Sequence, residues 1–214
     1  MGVTERRARE KEALRHKILE AASQLFLEEG FESVSIRKIA ERIEYSPATI
    51  YLYFKDKAEL VNAICEDSFA ELLEVVNEAS QDPDPLHGLR LGLRAYIDFG
   101  LSHPHHYLVV FGVLHKEQMA DEHNTLEPLP GIAAFEVLRS GVRSCIQSGV
   151  LPPGDPETIS QCVWMFIHGV TSLLITNYEM PCGYFPWLDK EHLIESSLDL
   201  LLAGLKNSSL PAQR

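Results

Sequence analysis

The stretch SIRKIAERIEYSPATIYLYFKDK, residues 35–57, decides how the rest of this chain is read. Ser35 is a good N-cap for a helix over 36–43, in which Ile36, Ile39, Ala40 and Ile43 recur at helical spacing and form one apolar stripe. Ala40 is small enough to let a second helix approach closely. Glu44 and Tyr45 make a tight turn. Ser46 caps the next helix, over 46–54, and Pro47 takes its first position, where its fixed φ suits the helix and its missing N–H is no loss. Ile50 and Phe54 are four apart and face inward, while Ala48, Thr49 and Tyr53 project from other faces. A helix this short buries too little to stand alone. Lys55 and Lys57 close the unit, and Asp56 with Glu59 has the spacing of a capping box that opens a further helix.

Arg37 and Lys38 fall in the first turn of the 36–43 helix, where the helix dipole disfavours each cation by roughly 0.3–1 kcal/mol. A phosphate docked there would accept from the free N–H groups and be neutralised by both cations, which gives the misplaced charge a purpose. Two short helices joined by a tight turn, with basic residues at the exits, follow the helix-turn-helix pattern of DNA-binding units. The charge distribution agrees. The chain carries a net charge of -12, but residues 1–57 hold 11 Lys and Arg against 10 Asp and Glu, whereas residues 58–214 hold 8 against 21. The acid is confined to the C-terminal part, and repulsion of that part from a duplex would enforce orientation.

Working outward, residues 1–11 carry Arg6, Arg7, Arg9 and Lys11 and are expected to form a basic N-terminal arm, with a frayed solvated terminus as the alternative. Over 12–29, Leu14, Ile18, Ala21, Ala22, Leu25 and Phe26 make an amphipathic helix, ended by Gly30, with Phe31 able to pack back on its last turn.

Residues 12–66 closely resemble the DNA-binding domain of TetR family transcriptional regulators. The matching stretches are ILEAASQLFLEEGFESVSIRKIAERI and SPATIYLYFKDKAEL, the second of which carries the more specific signature. One position departs from the family: Glu44 stands where a turn glycine is usual, and a left-handed backbone there would cost about 1–2 kcal/mol. The resemblance implies that the 46–54 helix enters the major groove. Ser35, Arg37, Thr49, Tyr51, Tyr53, Lys55 and Lys57 match positions that commonly touch the DNA backbone, and Lys38 and Ser46 belong to the same surface. Pro47, Ala48 and Thr49 would lie nearest base edges. Few of these side chains can make bidentate base contacts, so readout is expected to use thymine methyl groups and DNA shape.

The remainder reads as all-α, about nine helices in total, with no strand signal. Helices are expected over 58–80, 86–101, 107–119, 132–147, 157–179 and 192–205, separated by QDPDP at 81–85, the 121–131 loop, Pro152–Pro153–Gly154 and the 181–187 connector. The domain plan is a helix-turn-helix domain at 12–57, a ligand-binding and dimerisation domain at 58–206, and a tail at 207–214. The 157–179 helix is apolar on more than one side, and with 192–205 it can pack against its copy in a homodimer, as the family commonly does; filling a monomer core is the alternative. Trp164, His168 and Gly169 resemble a recurring C-terminal subtype of that family. A pocket for an unidentified small-molecule effector is expected among Phe99, Tyr107, Phe111, Met119, Phe135, Trp164, Met165, His168 and Tyr178.

His103, His105 and His106, followed by His115 and His123, lack metal-ligand spacing, and no cofactor or metal is expected. His168 reads as hydrogen-bonded inside the core. Cys65, Cys145, Cys162 and Cys182 show no C-x-x-C spacing and suit reduced thiols in the cytoplasm. The longest apolar run, residues 107–114, is far too short to cross a bilayer, so no membrane association is expected. No G-x-S-x-G, phosphate-cradling glycine loop or carboxylate pair supports an enzyme. The expected activity is regulation of transcription, as a repressor released by a ligand on a palindromic double-stranded operator. A transcriptional activator and a DNA-free protein-interaction module are the other readings.

Overall fold

Prolines and acidic caps set most helix starts. In the computed structural model, which describes residues 2–113, 130–179 and 189–208, the helices are α1 (Val3–Glu29), α2 (Ile36–Arg42), α3 (Pro47–Tyr51), α4 (Lys57–Ala79), α5 (Pro85–Ser102), α6 (Pro104–Leu108), α7 (Pro130–Gln147), α8 (Pro156–Leu174) and α9 (Lys190–Lys206). A 3₁₀ turn, Phe31–Ser33, follows α1, and π-helical turns follow α6 (Val109–Val113) and α8 (Ile175–Glu179). The described residues are thus all-α. Five of these helices begin on proline, as expected of a residue pre-set for the first turn. Asp84 caps α5 by accepting from Leu86 N–H at 2.9 Å, and Asp155 caps α8 by accepting from Thr158 N–H at 2.9 Å.

Several boundaries differ from the sequence reading: the helix expected from 107 starts at Pro104 and turns π-helical at Val109, residues 130–131 of the expected loop open α7, and three further differences concern α1, α3 and α8. Residues 3–11 of the separate arm expected over 1–11 are the opening turns of α1, exposed over 4–11. The α3 helix stops at Tyr51, three residues early, with Leu52 and Tyr53 in the turn that follows. The helix expected to run to 179 changes at Ile175 to a π-helical turn. There Thr176 Oγ1 donates to Ser172 O at 3.0 Å and Asn177 Nδ2 to Leu173 O at 2.7 Å, side-chain bonds that compete with the regular ladder. The 121–129 part of the expected loop, residues 114–119 and the 181–187 connector lie outside the described residues.

The chain divides into two compact units, Met1–Ser68 with His105–Thr125, and Phe69–Pro104 with Leu126–Arg214. The partition falls inside α4. In the first unit Ile18, Ala22 and Phe26 of α1, Ile39 and Ala40 of α2, Ile50 of α3, and Leu60 and Ile64 of α4 are fully buried. Arg15 forks onto Asp67, with Nη2 donating to Oδ1 at 3.1 Å, and so ties α1 to α4. In the second unit α5 packs on α7, α8 and α9, burying Leu93, Ile97, Val142, Val163, Ile167 and Leu198. Gly92 permits the close approach of α4 and α5: a Cβ there would sit 2.4 Å from Ser80 Oγ. Arg90 and Arg94 pin α5 to α9, Arg90 through Glu195 at 2.5 Å and Asp199 at 2.6 Å, Arg94 through Glu191 at 2.5 Å and Glu195 at 2.6 Å.

Counting uninterrupted apolar runs overlooks one segment that meets a test of length and composition, a test that a core helix also passes. The segment Pro156–Asn177 is long and apolar enough to cross a membrane by length and composition, and 39% of its most apolar window is buried within the chain. A search for uninterrupted apolar runs misses it because Gln161, His168 and Thr171 punctuate it. Cys65, Cys145 and Cys162 are free. Burial pushes the thiols of Cys65 and Cys145 up, to about 12 and about 11 respectively, so both stay protonated and inert. Cys182 lies outside the described residues.

Candidate nucleic-acid interface

The turn between α2 and α3 keeps the family shape despite its glutamate. Glu44 has φ of 62°, the one non-glycine residue with positive φ among those described. Its N–H donates to Glu41 O at 3.2 Å, and the N–H of Tyr45 reaches back to Ala40 O at 2.9 Å. That pair of bonds is the Schellman closure, which requires the left-handed residue in the middle. Lys17 Nζ satisfies the remaining Ile43 carbonyl at 3.3 Å and sits 5.5 Å from the Tyr45 ring. The backbone then re-enters a helix at Ser46, whose Oγ accepts from Thr49 N–H at 3.2 Å and pairs with Thr49 Oγ1 at 2.9 Å.

Ile50 is fully buried and anchors α3, and Phe54 is buried behind it. At about 100° per residue, Thr49 and Tyr51 flank that anchor, while Ala48 and Leu52 point most nearly away from it. Exposure follows this geometry: Ser46, Pro47, Ala48 and Tyr51 are exposed, Thr49 and Tyr53 half-buried, and Leu52 is 81% exposed. Leu52 was not among the residues singled out from sequence, although its spacing of four from Ala48 is the signal that finds it.

The cations are less free than their number suggests. Ser35 Oγ accepts from Lys38 N–H at 3.3 Å, as a cap should. Arg37 Nε donates to Glu41 at 2.9 Å. Lys38 Nζ pairs with Glu29 and also donates to Ser33 O at 3.2 Å. Arg42 pairs with Glu28 at 2.7 Å. Lys57, expected on a phosphate, donates to Phe31 O at 2.7 Å with its ammonium 4.3 Å from the Phe31 ring centroid. It therefore holds α4 to the turn after α1. Lys55 is exposed; its backbone N–H donates to Glu59 at 2.5 Å, while Asp56 Oδ1 accepts from Glu59 N–H at 2.8 Å. The capping box thus forms with its return bond shifted back by one residue.

The residues expected to line an effector pocket divide between the units. Tyr107 and Phe111 belong to the first, with rings 4.7 Å apart. Phe99, Phe135, Trp164 and His168 belong to the second, with Phe99 buried and the others half-buried. His168 Nδ1 lies 3.2 Å from Tyr96 Oη, and its ring stacks on Trp164 at 5.4 Å. Burial lowers its pKa below 6.5, favouring neutral imidazole. Met165 does not fit an enclosed site: it is 59% exposed, on the outer side of α8 with Phe166 and Leu173. The side chain of Tyr178, and Met119 altogether, lie outside the described residues. A cavity of about 370 Å³ in the second unit, between Leu86, His87 and Arg90 of α5 and Asp199, Leu202 and Lys206 of α9, shares no residue with the expected set.

The clustered histidines pair with carboxylates. His105 lies 3.2 Å and His106 3.1 Å from opposite oxygens of Glu20, and His103 lies 3.4 Å from Glu71. Burial raises the Glu20 pKa, but bonds from Gln24 and His105 and the nearby His106 outweigh it, and the net shift is downward. Among the described residues no group of three or more His, Cys, Asp or Glu could hold a metal ion. His115 and His123 lie outside them.

An N-terminal helix-turn-helix with a capped, outward-facing second helix, followed in the chain by a larger helical body, defines a DNA-binding transcriptional regulator. Residues 18–64 match the family described as bacterial regulatory proteins, tetR family, and residues 89–199 match the tetracyclin repressor-like C-terminal domain. The chain belongs to the TetR family of transcriptional regulators, a family of regulators and not of enzymes. It is 25% identical over 174 residues to the HTH-type transcriptional regulator AcrR of Shigella flexneri, covering 79% of this chain and 80% of AcrR. Its fold is similar to that of the transcriptional regulator FadR from Bacillus subtilis in complex with stearoyl-CoA (TM-score 0.67, 20% identity, covering 88% of this chain and 98% of FadR). It is likewise similar to AibR in complex with isovaleryl coenzyme A and operator DNA (TM-score 0.65, 20% identity, covering 88% and 97%).

Proposed function

We propose that this regulator is a cytoplasmic homodimeric repressor that binds a palindromic operator and leaves it when a small-molecule effector binds. The observation that carries the reading is the uncovered apolar surface on the last two helices. Met165, Phe166 and Leu173 of α8 and Leu200 of α9 are exposed, Leu200 by 72%. Gly169 and Gly204 on the same two helices have open space where a Cβ would point. Burying a large apolar side chain from full exposure is worth about 1.5–3 kcal/mol, and these four have the still-exposed share of that to gain; a second copy supplies that cover together with the second reading helix that a palindrome demands. Met165 is thereby reassigned from the pocket to the dimer surface.

On DNA, α3 enters the major groove with Pro47, Ala48 and Thr49 toward base edges. Ser35, Arg37, Lys38, Ser46, Tyr51, Tyr53 and Lys55 face the backbone, with Thr49 shared and Lys57 chiefly structural. The operator DNA of AibR supports the first part of this reading, and the coenzyme A thioesters of AibR and FadR support control by a small molecule without assigning its class. The effector acts by population shift, favouring a conformer in which the two reading helices no longer match successive major grooves. The test is Phe166→Glu combined with Leu200→Glu, both surface positions. Light scattering should show the mass halved, and operator affinity should fall more than tenfold. A variant that stays dimeric, or a monomer that binds as tightly as wild type, refutes the reading.

A further inference from the structure

We infer that Leu52 is a specificity-determining residue that reads a thymine 5-methyl group in each operator half-site. It rests on the entry of α3 into the major groove and adds to the residues placed there above.

Leu52 is the most exposed of the large apolar side chains described, at 81%. Its backbone keeps right-handed helical geometry, with φ of -74° and ψ of -15°, although the helix proper has ended. It therefore continues the angular progression of α3, two residues past buried Ile50 and four past exposed Ala48. Both Ala48 and Leu52 lie about 160° from the Ile50 direction, so they form the ridge that a groove floor would meet first. Thr49 and Tyr51, with hydroxyls that can reach phosphates, stand on either side of that ridge.

The chemistry of the ridge decides what it can read. From Ser46 to Phe54 there is no Arg, Lys, Asn, Gln, Asp or Glu, so the bidentate pairings that discriminate guanine, adenine or cytosine are unavailable on this helix. Along the ridge itself stand a methyl group at Ala48 and an isobutyl group at Leu52, with the Pro47 ring exposed at the helix start. The major-groove edge offers a single apolar feature to such groups, the thymine 5-methyl. Ala48, with no side chain beyond Cβ, lets the backbone come close, and that approach brings the longer Leu52 into methyl contact. Against phosphate or solvent the same leucine would gain nothing.

The test uses the full-length protein and needs no prior operator. Wild type and Leu52→Ser are each used to select sites from random-sequence duplexes at moderate salt, and each thymine of the wild-type site is then replaced singly by deoxyuridine, which lacks only the methyl group. Wild type should lose about threefold to fivefold at one thymine per half-site, the worth of one buried methyl group. Leu52→Ser should be indifferent to that replacement, and its selected site should lose thymine preference there while keeping the other positions. Leu52→Met, which remains apolar, should retain the preference, and the helical circular dichroism of all three proteins should coincide. A Leu52→Ser protein with an unchanged deoxyuridine profile, whether its affinity is uniformly lower or unaltered, overturns the inference. If wild type itself enriches no sequence, the failure lies with sequence-specific binding, and the role of Leu52 goes with it.

Discussion

Replacing Glu44 by glycine should make the protein more stable, and the size of the gain follows from the turn. A non-glycine residue in the left-handed region costs about 1–2 kcal/mol, and Glu44 is held there at φ of 62° by hydrogen bonds on both sides, Glu44 N–H to Glu41 O and Tyr45 N–H to Ala40 O. It cannot relax without giving up the Schellman closure that aims α3. Glycine removes the steric cost but adds about 0.4–1 kcal/mol of unfolded-chain entropy. The net is a stabilisation of roughly 0.5–1 kcal/mol, or roughly 1–4 °C in melting temperature for a chain of this size. The assay is thermal and urea denaturation followed by circular dichroism at fixed protein concentration, since dimerisation makes stability concentration-dependent. Glu44→Ala is the control. It removes the same carboxylate while keeping a Cβ in the left-handed conformation, and should give little of the gain; Glu44→Asn, which tolerates that region better, should fall between. If Glu44→Ala stabilises as much as Glu44→Gly, the effect is one of charge and the argument from backbone strain is wrong.

Two other outcomes are expected. Glu41→Gln should tighten operator binding, because Arg37 no longer has to leave a carboxylate 2.9 Å away to reach a phosphate; an exposed i,i+4 pair is worth about 0.3–0.5 kcal/mol, so a dimer should gain roughly threefold to fivefold in fluorescence anisotropy titrations, and an unchanged or weaker affinity would argue that Arg37 does not contact DNA. The third concerns pH. His168 has its pKa lowered from 6.5 by burial, so the unfolded chain binds its proton more readily; the stability contributed by the neutral imidazole is complete above pH 6.5 and declines as pH falls toward the folded value. The urea midpoint of wild type should therefore drop between pH 7.5 and 5.5 by more than that of His168→Gln, and equal drops would remove His168 from the acid response.

What was legible in the sequence was whatever rests on neighbours three or four residues apart. Ser35 and Ser46 announce their helices through a cap, Pro47 and Pro156 through a fixed φ, and the Ile50–Phe54 spacing puts α3 on its core. Even the strained turn could be foreseen, since the family shape demands a left-handed residue and Glu44 was the one available. Charge partners were legible only where they lie one turn away, as Glu41 does from Arg37; the others are decided by residues distant in the chain. Lys57 meets Phe31 across 26 positions and Arg42 meets Glu28 across 14, and no local pattern separates a lysine that closes a fold from one that waits for a phosphate. A count of basic residues therefore overstated the free positive charge of the reading surface. Arg37, Lys38 and Arg42 each carry a carboxylate with them, so a phosphate meeting any of them would replace an anion already in place. The electrostatic gain from such an exchange is smaller than that from a bare cation, and the burden of affinity and selectivity shifts to the uncharged face of α3. An exposed leucine at the end of α3 is then an asset of the interface and not a defect of the fold.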